Sequence, residues 1–293
     1  MAFENGIYRM AQTDRIRRTL RQVCASGVAL GLAVSPASAD ILKAHYTVSI
    51  VGLHVGDLYA DGTMGQQNYR ISLNAKLSGL AAMLSSLRLA LASSGAVKKN
   101  GLAPSAYATS SANSGETRTL RMALNSGTVR AVEIMPPPDF HGLERVPVSE
   151  DDKRNILDPT SALIMTVPAE EQLVGAAACN RTLPIYDGYA RFDIQLSFSG
   201  TRDVAVAGYS GPVSVCKAHY HPVSGHYVNS KSAKYMSENN GIEVWLAPVE
   251  HAHVVVPLRV SMPTQSGHVV IEAVEFQISA SGGEPTTHDA SAH

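Results

Sequence analysis

The chain has 293 residues, carries 24 Lys and Arg against 25 Asp and Glu for a net charge of −1, and is 45% apolar. Such a balance, with no basic stripe and no basic amphipathic helix, excludes the usual nucleic-acid surface and gives no support for tight binding to anionic membranes. The length suits one large β domain or two small ones.

At the N-terminus, Arg15, Arg17, Arg18 and Arg21 precede an apolar stretch from Val23 to Val34, and Ala37-Ser38-Ala39 offers the small residues a signal peptidase needs. Residues 1–39 therefore read as a cleavable export signal, cut near Ala39/Asp40, and the mature chain is expected in the periplasm. The apolar run is shorter than the roughly 20 residues a spanning helix requires. Cys24 lacks the small preceding residue of a lipoprotein site, and Arg17-Arg18-Thr19-Leu20 only faintly resembles a twin-arginine signal. An uncleaved anchor is the remaining alternative.

Period-two alternation dominates the chain beyond Asp40. Tyr46, Val48 and Ile50 predict a strand, and Leu77 to Leu87, apolar with small residues, predicts a short helix or a buried crossing segment. Leu120, Met122 and Leu124 predict another strand, closed into a hairpin by Asn125-Ser126-Gly127. Met135 to Asp139, with three consecutive prolines, predicts an extended surface loop. With the charged Glu150 to Arg154, it is the only plausible internal boundary. Asp158-Pro159 suits the start of a helix ahead of Ser161-Ala162-Leu163-Ile164-Met165.

Asp187-Gly188 predicts a turn, and Arg191 to Phe198 is the clearest strand of the chain, every even position apolar and every odd one polar. Ser230 to Glu238 predicts an exposed helix. Val254, Val256, Leu258 and Val260, then Val274, Phe276 and Ile278, complete the strands. Residues 40–280 are expected to form one domain and Ser281 to His293 a disordered tail.

Cleavage discards Cys24 and leaves Cys179 and Cys216. In an oxidising compartment an isolated pair is expected to form a disulfide, worth roughly 3 to 4 kcal/mol for a loop of this length; two buried thiols are the alternative.

Several segments together resemble the bacterial DUF3108 family. They are Gly56-Asp57-Leu58, Tyr69-Arg70-Ile71, Ser78-Gly79-Leu80, Gly101-Leu102-Ala103-Pro104, Asp158 to Leu163, the block Cys179 to Asp193, Tyr209-Ser210-Gly211-Pro212, Cys216 and Trp245-Leu246-Ala247-Pro248. The resemblance implies an exported envelope protein, mainly β, built on a strongly curved antiparallel sheet (half-barrel or β-spiral) with a few short covering helices. In outline that is similar to the LolA and LolB lipoprotein carriers. It implies no known reaction.

The candidate chemistry is sparse. His219, His221 and His226 give H-x-H-x-x-x-x-H, and His251 and His253 repeat the two-residue step, so a metal site from His219, His221, His251 and His253 is one expectation. Exposed-strand histidines are the plainer reading. Gly208-Tyr209-Ser210-Gly211-Pro212 lacks the spacing and the helix that a nucleophile elbow needs, and it reads as a tight turn. Asp187, Asp193, Glu272 and Glu275 show no pairing in sequence. Arg191, Arg202 and Arg259 suit cross-strand ion pairs. No phosphate-cradling loop occurs and no cofactor is implied.

The main expectation is thus a non-enzymatic periplasmic envelope protein with no nucleic-acid partner. Its concave sheet binds an apolar or lipid ligand or a segment of another envelope protein. Phe192, Ile194, Leu196, Phe198, Val254, Val256, Leu258 and Trp245 would line that groove, or else a packed core. The other expectation is a metal-binding protein or metal-assisted hydrolase on the histidines. Ligand identity and oligomeric state do not follow from the sequence.

Overall fold

The computed structural model describes residues 39–99, 101–140 and 142–280. The expected export signal, up to residue 38, and the expected tail from Ser281 lie outside the described residues.

Strands β1 (Asp40–Ile50), β2 (Leu53–Met64), β3 (Asn68–Leu77), β4 (Arg88–Lys98), β5 (Gly101–Asn113), β6 (Glu116–Asn125) and β7 (Thr128–Met135) follow one another, with helix α1 (Gly79–Leu84) between β3 and β4. After a long connection come β8 (Met165–Thr166), α2 (Ala176–Cys179), β9 (Arg181–Tyr186), β10 (Arg191–Val206) and β11 (Tyr209–Ser224). Helix α3 (Lys231–Ser237), β12 (Ile242–Val249), β13 (Val254–Thr264) and β14 (Gly267–Ala280) close the described chain. These strands form one antiparallel sheet in the order β7-β6-β5-β4-β3-β2-β1-β14-β13-β12-β11-β10-β9, with β8 attached to β13 beside this path. Nearly every neighbour is also the next strand in sequence, as hairpin connections dictate. The sheet is open, ending at β7 and β9.

The predicted turns are where alternation placed them. Ser126 and Gly127 both have positive φ, 49° and 77°, the conformation that a two-residue hairpin requires. Asp187 accepts from the backbone N–H groups of Tyr189 (2.8 Å) and Ala190 (2.7 Å), shaping the loop into β10. The β10–β11 hairpin turns at Ala207-Gly208, so of the expected turn Gly208 to Pro212 only Gly208 lies in it, Tyr209 to Pro212 being already paired with Asp203 to Val206; Ser230 caps α3 by accepting from Ala233 N.

Residues Leu77 to Leu87 contain the short helix that is one of their two expected forms, the six-residue α1. The helix after Asp158 is shorter than expected. Asp158 does cap, accepting from Thr160 N (3.0 Å) and Ser161 N (2.9 Å), but the helix is a single 3-10 turn, Ser161–Leu163. Propagation stops because Ile164 is already extended and Met165–Thr166 pairs with Val254–Val255 of β13. Tertiary pairing overrides a good local start.

Residues 136–180 make the one long crossing, from one end of the sheet to the other, and much of this segment is buried: Ile156, Asp158, Thr160, Ser161, Ala162, Ile164, Met165 and Val167. Extended chain covers the inner face. Among the helices, α2 buries Ala178 and Cys179, while α3 buries nothing.

Sheet curvature follows from where pairing fails. The ladder between β13 and β14 ends at Arg259 and Glu272. Beyond it β13 takes β8 as partner, the Tyr46 hydroxyl of β1 donates to the Pro257 carbonyl (2.8 Å), and Phe276 N of β14 donates to Ala207 O (2.8 Å) at the tip of the β10–β11 hairpin. These contacts recapture, from across the interior, backbone groups that the splay releases. One core cluster joins Leu42, Tyr46, Ile71 and Leu73 to Val213, Val256, Leu258 and Phe276; a second surrounds Cys179 and Cys216; a third joins Tyr107, Leu120 and Met122 to Ile156 and Tyr186.

Cys179 and Cys216 form a disulfide with a Cα–Cα distance of 5.5 Å, fastening α2 to β11.

Candidate functional site

The predicted groove residues divide between core and surface. Val254, Val256 and Leu258 are 1–3% exposed and belong to the cluster of Leu42 and Phe276. Leu196 is buried beside the disulfide, with Ile194 packed against the same cluster. Phe192 lies against Tyr220 at a ring distance of 5.2 Å, and Phe198 is exposed. Trp245 lies near two guanidinium groups, Arg202 at 4.8 Å and Arg259 at 4.7 Å, and its Nε1 donates to Glu243 (2.8 Å). So the apolar face that alternation exposes as a candidate groove is largely filled. The filling comes from strand side chains that meet across the interior and from segment 136–180, whose inward course no periodicity announces.

The histidines each have separate partners. His219 and His221 stand edge to face on β11 with ring centroids 4.5 Å apart, and His221 Nε2 is 3.2 Å from Gln195 Oε1. His251 Nδ1 lies 3.3 Å from the buried Asp40, while His253 Nε2 lies 2.9 Å from the Pro168 carbonyl. Among the described residues, no three His, Cys, Asp or Glu side chains are placed to hold a metal ion. Of the arginines expected to pair across strands, Arg259 does so with Glu272 (3.4 Å), whereas Arg191 pairs with Asp193 (2.7 Å) on its own strand and Arg202 lies over Trp245.

Two polar clusters went unread in the sequence. His45 Nε2 and His54 Nε2 lie 3.1 Å and 3.3 Å from Asp57 Oδ1, and His54 Nε2 is also 3.2 Å from Ser78 Oγ. The residue types are those of a nucleophilic triad. Ser78 and Asp57 nevertheless meet the same ring nitrogen, so the imidazole cannot take a proton at one nitrogen while the carboxylate orients the other. Burial pushes Asp57 up, but hydrogen bonds from His45 and Ser78 and the nearby rings outweigh it and hold the carboxyl below its ordinary range.

The second cluster surrounds Asp158, which is fully buried. Its carboxylate accepts from Ser93 on β4, from Ser161 Oγ at 2.5 Å and from the two backbone N–H groups already named. Desolvation pushes its pKa up despite these donors. Every contact is internal, so Asp158 pins the crossing segment to the sheet.

Open concavity lies on the other face. Cross-strand register aligns Arg70, Ser94, Ala106, Ala123 and Ala131 in one row from β3 to β7, and Ser72, Ala92, Ala108, Arg121 and Glu133 in the next. These rows line a cleft of about 630 Å³. A second cleft of about 670 Å³, toward Lys98, Asn125 and Ser126, shares Arg70 and Ser94 with it. Arg121 and Glu133 approach to 3.9 Å, whereas Arg70 and Lys98 have no carboxylate partner among the described residues. A sequence signal for this surface exists. Residues 62–115 contain Arg70, Lys76, Arg88, Lys98 and Lys99 and not one Asp or Glu, which the balanced total conceals.

The sequence model of DUF3108, described as a protein of unknown function, matches residues 45–274. No curated protein matches. Among solved structures, the crystal structure of a beta-barrel-like protein of domain of unknown function DUF1849 from Brucella abortus aligns with a TM-score of 0.44 at 10% identity, over 83% of this chain and 98% of that one.

Proposed function

This chain belongs to the DUF3108 family, and from that premise we propose a non-enzymatic, exported protein of the cell envelope that holds an extended acidic segment of another envelope protein on the outer face of β3–β7. The observation that carries this reading is the pair of contiguous clefts, floored by Ala92, Ala106, Ala108, Ala123 and Ala131 and edged by Arg70 and Lys98, which have no carboxylate partner among the described residues. Small side chains let a polypeptide backbone approach the sheet closely. Cations without internal partners favour carboxylates on the guest.

An acyl ligand inside the sheet is less favoured, because Leu42, Val256, Leu258 and Phe276 occupy that space. A histidine metal site is testable by elemental analysis, where zinc or copper well below stoichiometric after mild purification removes it.

Fluorescence anisotropy with labelled extended peptides tests the main reading. Acidic peptides should bind saturably and weaken with salt, basic ones should not bind, and a double A108W/A123W variant should lose the interaction. Equal affinity for acidic and basic peptides, or binding untouched by the two tryptophans, overturns it.

A further inference from the structure

A separate feature sits at the end of the sheet formed by the β1–β2 turn and the β3–β4 connection. Four apolar side chains project there: Val51 is 67% exposed, Leu53 71%, Met83 82% and Leu87 39%. The backbone brings them to one place. Ser78 N, ahead of α1, donates to Val55 O of β2 at 3.0 Å, Leu77 N donates to Leu87 O, and Val51 N is tied to His268 O at 2.8 Å. Helix α1 itself, Gly-Leu-Ala-Ala-Met-Leu, has no charged residue. Burying such side chains is the ordinary outcome of folding, and here they are presented to the outside together.

On β3 and β4 the charge at the base of this tip has one sign, while Asp57 of β2 stands beside Lys76 in the same row. Lys76 and Arg88 are direct cross-strand partners on β3 and β4, an arrangement of like charges that disfavours the pairing. Lys76 Nζ has the Tyr59 ring at 5.6 Å, and Arg88 has no carboxylate partner among the described residues. Nearby carboxylates are already engaged. Asp57 is held by His45, His54 and Ser78, and Glu116 pairs with Arg118 at 2.8 Å. An apolar tip above two cations that make no ion pair among the described residues matches a surface that is anionic outside and hydrocarbon beneath.

We propose that Val51, Leu53, Met83 and Leu87 dock the protein on an anionic phospholipid bilayer, with Lys76 and Arg88 facing the headgroups. The apolar side chains enter the interface and the cations stay at phosphate level, the geometry of interfacial anchoring. This surface is distinct from the β3–β7 clefts, so peptide binding and lipid binding stand or fall separately. Overall neutrality predicted no such affinity; the acid-free run of residues 62–115 places the charge locally.

The test uses the full chain in three variants, M83W, V223W as a control on the exposed part of β11, and M83W/K76Q/R88Q, mixed with vesicles whose lipids carry brominated acyl chains. Wild-type emission, from Trp245, supplies the background. Apolar residues near the N-terminus are common to all variants, so differences between variants report the tip. The expected result is quenching of M83W, and not of V223W, in vesicles containing phosphatidylglycerol. The K76Q and R88Q changes should weaken partitioning by about fivefold each, the effect of one cation near an anionic surface. L53D, which leaves Met83 in place, should reduce vesicle binding similarly in a sedimentation assay. Equal quenching of M83W and V223W overturns the proposal, as does binding indifferent to phosphatidylglycerol. A concentration-dependent dimer abolished by L53D, without lipid contact, assigns the tip to a second copy and equally overturns it.

Discussion

The hydroxyls of Tyr69 and Ser161 lie 2.7 Å apart in the interior, joining β3 to a residue 92 positions further along the chain. Ser161 passes this link on to Asp158, and Ser93 of β4 reaches the same carboxylate. A small buried network therefore decides where the long crossing segment lies.

Asp158→Ala should cost about 3 kcal/mol, because the Ser93 and Ser161 hydroxyls and two N–H groups would lose their acceptor. Asp158→Asn keeps an acceptor and should cost about 1 kcal/mol. The pH dependence distinguishes them further. Burial raises the folded pKa above the unfolded one, so between the two values folding takes up a proton and stability falls as pH rises. Thermal melts from pH 3 to 7 should show this decline reduced in Asp158→Asn.

Asp57 should behave with the opposite sign. Its folded pKa is held down, so its stabilising effect is present above the unfolded pKa and disappears as pH falls through the lower folded value. Asp57→Asn should melt lower than the parent at neutral pH, and the difference should vanish in acid.

Breaking the disulfide by Cys179→Ser with Cys216→Ser should lower stability by about 4 kcal/mol, through a loop whose ends are 37 residues apart, and the melting temperature by on the order of 10 °C. Both cysteines are fully buried, so a weak reductant should act slowly on the folded protein. Calorimetry with and without reductant checks both.

Two glycines with similar φ should respond very differently to alanine. At Gly225 (φ 80°) a Cβ would lie 2.2 Å from the Tyr189 carbonyl oxygen, to which Arg145 also donates at 2.7 Å. Gly225→Ala should cost about 3 kcal/mol or more. Gly52 (φ 77°) opens to empty space, and its alanine variant should cost only the left-handed penalty, about 1 kcal/mol. Urea titrations of the two variants measure the gap.

Trp245 is the sole tryptophan of the chain and reports on its cationic neighbours. Arg202→Ala should remove about 0.5–1 kcal/mol of cation–π attraction. Arg259→Ala should cost more, since that guanidinium is less exposed and also meets Glu272 at 3.4 Å. Emission wavelength and urea midpoint should move together in both.

Legibility in the sequence varied from element to element. On β6, Leu120, Met122 and Leu124 are all buried while Arg121 and Ala123 are exposed, so alternation read that strand faithfully. On β13, Val254, Val255 and Val256 are all buried, because β8 and α2 cover the face opposite the main core. Alternation there identified a strand and misjudged its surroundings. The clefts were harder still. Arg70, Ser94, Ala106, Ala123 and Ala131 become neighbours through four successive ladders, and no local pattern relates them.

The residues alone were enough for strand periodicity, the Asn125–Gly127 hairpin, the caps at Asp158 and Ser230 and the pairing of two cysteines, because these depend on neighbours a few positions away or on counting. Which side of the sheet is sealed, and which is left open, came from the folded chain. An apolar face requires a cover without specifying it, and here part of the cover is a stretch with only short regular pieces, anchored by hydrogen bonds to strands more than sixty residues earlier.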